Sequence, residues 1–286
     1  MRRALRTGLA AALALGAPLS APRSASAQEL RSVDISRQLH DSAALQVRVN
    51  YAAGKLALRS AQLPVLYRVQ LSYLPERVEP RYSFDAATRT LHVGVEKRGS
   101  RVPGEGRPGE MHLDLAPAVP VDLALELGAV EADLDLSGLR VGRLRVESGA
   151  SDATVHFDAP NPERMRSLEF EVGAASLRAT RLANANAPEI RVQAGVGSVD
   201  LDFGGKWTQD VDVSVQVALG GVKIRVPSDV GVRVEARKFL ASFDTRGLIK
   251  RGDAYYSENW DTAAHHLRLR TRTTFGKLEL EPTDRE

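Results

Sequence analysis

Glu126, Glu147 and Glu171 recur at one outward position of successive segments, and Gln193 and Gln216 continue the series. Carboxylates stacked one above another raise a carboxyl pKa or attract a cation. The chemistry on offer is weak divalent-cation binding; the competing expectation is that Arg145, Arg191 and water neutralise the column. Tyr255, Tyr256 and Trp260 are the second group. Exposed rings stack on sugars, which makes these three the candidate ligand contacts, although rings in that position also cap the open end of a repeat core. Asp133/Asp135, Asp200/Asp202 and Asp210/Asp212 each share one strand face. Paired carboxylates suit glycan cleavage, but here they are expected to be solvated outer faces.

Other chemistry is thin. The chain has 286 residues and no cysteine, which excludes disulfides, thiolate zinc sites and thiol catalysis. None of the six histidines forms an i,i+4 zinc pair. His265 and His266, adjacent on a strand, would point to opposite faces, with one ring exposed. His40-Asp41-Ser42 has triad residue types, but consecutive residues do not build a triad, and Gly195-Val196-Gly197-Ser198 has no helix after it to complete a phosphate loop. No catalytic, cofactor-binding or metal-ligating residue is assigned, and no enzyme is expected.

The elements that position these groups are strands. Val211, Val213, Val215 and Val217 alternate with Asp212, Ser214 and Gln216, and Val121 to Leu127 alternates in the same way. Side chains of a strand face opposite ways in turn, so each segment has one buried and one wet face. Hydrophobic residues make up 43% of the chain, too many for disorder. Asp261 to His266 is the one place with room for a helical turn.

Beyond Pro120 the chain repeats. First strands at Asp122–Leu127, Arg143–Ser148, Ser167–Val172, Glu189–Ala194 and Asp212–Val217 each precede a small residue, Gly128, Gly149, Gly173, Gly195 or Ala218. Steps of 21, 24, 22 and 23 residues predict a β-solenoid or roll with a repeat of about 22 residues. The register is testable. One outward column reads Ala124, Arg145, Glu169, Arg191, Ser214, so opposite charges face each other. The apolar columns are Leu123, Leu144, Leu168, Ile190, Val213 and Leu125, Val146, Phe170, Val192, Val215. Two further units fall at Gly231–Asp244 and His266–Leu280, and the second-strand column reads Asp133, Thr154, Arg178, Asp200, Lys223, Asp244.

The expected organisation is a signal peptide at 1–27, a smaller N-terminal β segment at 28–97, a Gly/Pro-rich loop at 98–110 and the solenoid at 111–286. The leader has Arg2, Arg3 and Arg6, an apolar run from Leu9 to Ala17, and Ala25-Ser26-Ala27 before Gln28, the three parts of a secretory signal. Its four arginines account for more than the +3 of the whole chain and leave −1 after cleavage, so nucleic-acid binding loses its support. No later segment is apolar enough to span a bilayer as a helix.

Three groups of residues carry a resemblance. They are Gly54-Lys55-Leu56-Ala57-Leu58 with Leu66-Tyr67-Arg68, Tyr73, Pro80 and Leu91-His92-Val93; the bend Gly220-Gly221-Val222-Lys223-Ile224; and Asn259-Trp260-Asp261-Thr262-Ala263 running through Leu267-Arg268-Leu269 to Phe275-Gly276-Lys277-Leu278-Glu279-Leu280. Over about residues 45–282 the chain resembles the toastrack-type β-repeat domains, an adhesin-like family similar to the C-terminal domain of LiaF-type envelope-stress regulators. The resemblance implies a stacked-strand fold, a non-catalytic role at the cell envelope and no catalytic residues to carry over. LiaF-type regulators have membrane helices before this domain, where this chain has a cleavable signal. The expected function is an exported, periplasmic or extracellular, binding or scaffold protein, with an envelope protein or a cell-surface glycan as partner and no cofactor. The alternatives are an adhesin-like carbohydrate-binding protein and a glycan-cleaving β-helix enzyme. An unpaired terminal strand could pair with a second copy.

Overall fold

The computed structural model describes residues 30–61, 64–98 and 109–283. The expected signal peptide and most of the Gly/Pro-rich loop lie outside the described residues. Sixteen strands form one sheet: β1 (Arg31–Gln38), β2 (Leu45–Ser60), β3 (Val65–Tyr73), β4 (Val78–Asp85), β5 (Thr90–Lys97), β6 (Glu110–Leu115), β7 (Pro120–Asp135), β8 (Arg140–Ser148), β9 (Asp152–His156), β10 (Ser167–Thr180), β11 (Glu189–Asp202), β12 (Val211–Pro227), β13 (Gly231–Phe243), β14 (Leu248–Arg251), β15 (Ala254–Ser257) and β16 (His266–Thr283). The described residues contain one 3-10 turn, Leu182–Ala185. The turn expected at Asp261–His266 forms earlier, where the Ala263 N–H donates to the Asn259 carbonyl at 2.9 Å.

Long parallel strands stack as rungs, and the expected register holds. Leu144, Leu168, Ile190 and Val213 pair in succession, as do Val146, Phe170, Val192 and Val215. These side chains are at most 2% exposed. Each rung has two limbs joined by a bend. In β7, Leu123, Leu125 and Leu127 are buried, then Val130, Ala132 and Leu134. The odd interval between Leu127 and Val130 turns both Gly128 and Ala129 outward. One inserted residue exchanges the faces of a strand, and here it wraps the second limb around the same core.

At Gly220 the bend needs glycine. Its φ is 146°, and a Cβ there would stand 1.8 Å from the Gly197 carbonyl oxygen of the next rung. Return loops are joined by buried asparagines. Asn161 donates through Nδ2 to the Val141 and Ala185 carbonyls, and Asn184 donates to the Phe157 carbonyl at 2.7 Å while accepting the Lys206 N–H at 2.8 Å. Buried polar groups of the loops are thereby paired across neighbouring rungs.

The two ends depart from chain order. β16 lies between β12 and β13, pairing with both in parallel, so the last two units are exchanged relative to a sequential stack. The second-strand column therefore reads Lys223, then Glu279, before Asp244. Both orders bury the same apolar positions, so hydrophobic pattern alone does not choose between them. At the other end β5 pairs with the first limb of β2 and β6 with its second limb, while β7 covers the opposite side of β2. Arg98–Glu110 thus interrupts one rung rather than separating two sheets. β1 and β3 extend the sheet from β6 in antiparallel pairing, and β4 extends it from β5. β15 and β14 form an antiparallel hairpin on β13.

Candidate functional site

The outer faces are ladders of charge. On the first limb Arg48, Ala124, Arg145, Glu169, Arg191, Ser214, Arg270 and Glu235 face one another in register. Arg145 donates to Glu169 at 3.0 Å and to Glu171 at 2.9 Å, and also holds Glu147. The hydrogen bond to Glu147 and the surrounding carboxylates push its pKa up. Arg191 bridges Glu169 and Glu189. On the second limb Arg225 pairs with Asp200 at 2.7 Å, Lys223 with Glu281 at 2.9 Å and Arg59 with Asp133.

Beside this ladder runs the column Asn50, Glu126, Glu147, Glu171, Gln193, Gln216, Arg272, Arg237. It passes from acid through amide to base along the stack. From Asn50 to Arg272, together with the bends, it lines a shallow trough of about 810 Å³. Glu126 accepts from Asn50 Nδ2 at 2.9 Å, and Arg145 serves the next two carboxylates. The expected neutralisation by Arg145 is therefore in place, whereas Arg191 serves Glu169 and Glu189 instead. Among the described residues no group of three or more His, Cys, Asp or Glu is arranged to hold a metal ion.

Arg145→Met should lower stability by about 1 kcal/mol at pH 7, the scale of unfavourable like-charge neighbours across a sheet. The deficit should shrink at high salt, which screens the carboxylates left without their cation. Paired melting curves of variant and parent at low and high salt test this; an equal deficit at both would show that Arg145 acts through packing rather than charge.

A third column marks the bend. Ala53 and Ala129 pair at one end, and Ala174, Val196, Leu219, Phe275 and Leu240 follow in register at the other. Strict alternation would bury Val196 and Leu219; the inserted residue turns them to solvent. Sequence reading missed this ridge because it needs the position of the bend to one residue.

The sequence that folds in this way is matched over more than half its length by a family model. The model described as the N-terminal domain of toast_rack, DUF2154, matches residues 24–178. The chain belongs to the toast-rack family. A second model, cell wall-active antibiotics response LiaF, C-terminal, matches residues 180–280. The two matches meet at the end of β10, yet the toast-rack sheet is continuous there, with β10 and β11 paired over residues 168–179 of β10. Comparison with curated proteins found no match. Among solved structures the chain is similar to a "putative cell adhesion protein" from Clostridium sporogenes ATCC 15579, at 15% identity and a TM-score of 0.45, covering 89% of this chain and 100% of that one. It is also similar to a "putative adhesin" from Bacteroides fragilis NCTC 9343, at 9% identity and a TM-score of 0.41, covering 88% and 97%.

In this toast-rack chain the candidate aromatic contacts sit on the C-terminal hairpin and the turn after it. Tyr255 packs edge-on against Phe243 at 5.3 Å, Tyr256 against Trp260 at 5.3 Å, and Trp260 against His266 at 4.5 Å. Arg251 lies 5.3 Å from the centre of the Tyr256 ring. All three rings are half-buried. Neither His265 nor His266 stands free: His265 stacks on Trp207, and His266 contacts the Trp260 carbonyl and Asp210. The aspartate pairs are engaged too. Arg268 holds Asp210 at 2.7 Å and lies 3.6 Å from Asp212. Burial opposes ionisation of Asp210, but the His266 N–H and the charges of His266 and Arg268 outweigh it and hold its pKa below the usual range. His40, Asp41 and Ser42 are exposed, with Asp41 paired to Arg89.

Proposed function

We propose that this toast-rack chain acts at the cell envelope by surface contact, as a non-catalytic binding or scaffold protein exported on its N-terminal leader. Its sharper role is to modulate an envelope-stress sensor. The observation that carries this reading is the LiaF-type match over residues 180–280, on a stack whose outer carboxylates are largely taken up by neighbouring arginines and lysines. Such faces suit polar recognition across a broad surface more than bond cleavage at a point. An adhesin-like reading, with a cell-surface glycan on Tyr255, Tyr256 and Trp260, is the alternative.

Cross-linking in the source cell followed by capture of the tagged chain tests both. The expected result is recovery from the envelope fraction with one membrane sensor or regulator enriched. Recovery from the cytosol would overturn the reading. Recovery of glycan alone, lost with Trp260→Ala in a folded chain, would favour the alternative.

A further inference from the structure

The two gradients described above end at the same rungs. The ridge at the bend grows from alanine to Val196, Leu219, Phe275 and Leu240, while the neighbouring column changes from glutamate to Arg272 and Arg237. Phe239 and Leu240 are consecutive, both turned outward, and 74% and 63% exposed. Phe239 packs edge-on against Phe275 at 6.3 Å. Arg272 and Arg237 face each other in register, about 4.8 Å apart at the strand level, and neither has an ion pair among the described residues. Beside them Arg270 has only the Glu235 carboxylate at 3.9 Å.

Two unneutralised guanidiniums one rung apart call for an anion. An apolar ridge beside them calls for cover. The ridge is convex, formed where the chain turns a corner. A protein partner would have to supply pockets for the protruding rings, whereas a lipid interface accepts protruding apolar side chains and places cations at the phosphate level. We propose that the C-terminal rungs are a membrane-contact surface, with Phe239, Leu240 and Phe275 entering the interface of an anionic bilayer and Arg237 and Arg272 on lipid phosphates. The glutamate end of the same column is repelled by that surface, so the stack docks with its N-terminal rungs away from the membrane.

The inference rests on the envelope placement proposed above for the supply of such a surface, but its test is made on purified protein and so fails separately. Residues 28–286, which retain every described strand, are sedimented with vesicles of phosphatidylcholine alone or with 30 mole per cent phosphatidylglycerol. Binding is expected on the anionic vesicles and should weaken with salt. Arg237→Gln with Arg272→Gln should weaken it about thirtyfold, at the usual contribution of a basic residue near such a surface. Phe239→Ser with Leu240→Ser should weaken binding to the anionic vesicles about tenfold or more, with an unchanged melting temperature showing an intact fold. Failure to sediment, equal binding by the apolar double variant, or binding of inorganic phosphate or an acidic peptide without vesicle binding would each overturn the proposal.

Discussion

Gly220→Ala is expected to destabilise the protein by about 3 kcal/mol or more, while Gly221→Ala, one residue along, is expected to leave it unchanged or raise it by about 0.5 kcal/mol. The contrast follows from geometry. Gly220 has φ 146° and no room, since its Cβ would meet the Gly197 carbonyl oxygen at 1.8 Å and the carbonyl carbon at 2.8 Å. Both obstacles are backbone, which cannot rotate away. A Cβ on Gly221 meets nothing within 4 Å. Alanine there restricts the unfolded chain at no cost to the folded one. Urea unfolding of the two variants and the parent decides the matter. Equal losses in both would mean that the bend is not held by close approach between rungs.

The second large effect is in the core. Phe170 is fully buried, and Val146 and Val192 flank it in the rungs on either side. Truncation to alanine removes most of a ring from a position that both neighbouring rungs pack against. The expected loss is about 3–5 kcal/mol. Because repeat stacks are coupled chiefly through nearest neighbours, the loss should appear as a broader transition as well as a lower midpoint. Val192→Ala, which removes fewer atoms from the adjacent rung, should cost less than half as much. A loss below about 1 kcal/mol for Phe170→Ala would mean that the rungs close over the gap.

Much of this arrangement was legible beforehand, for a specific reason. Period-two alternation makes register an all-or-none choice, and Arg145, Glu169 and Arg191 select the same register by charge that Leu144, Leu168 and Ile190 select by burial. Where those two criteria were silent, expectation and structure part. Gly231–Phe243 and His266–Thr283 each fit the next place in the stack, and only pairing partners distinguish them. β1 buries none of its side chains, so its alternation carries little hydrophobic contrast and it was not anticipated. The interrupted rung was hidden because its halves, β5 and β6, are separated by a stretch that reads as a connection between modules. Of the candidate surface, the carboxylate column and its arginine were visible, since both lie on regular strand positions. The apolar ridge was not, because it lies where the alternation changes phase.

The exchanged order at the two ends of the stack bears on how the molecule would respond to tension. A solenoid built in chain order presents its first and last strands as outer rungs, and a pull on either terminus peels them off one hydrogen bond at a time. Here the long strands nearest the termini, β2 and β16, are each held between two neighbours. A pull must slide them lengthwise past both at once, breaking many bonds together. Beyond β16 the outermost strands β13, β15 and β14 are internal stretches of chain, which the C-terminal strand cannot drag away directly, whereas at the other end β1 lies on the edge and peels first. Load applied through β16 would therefore be resisted until late and released abruptly, while load applied through β1 would be released early and strand by strand.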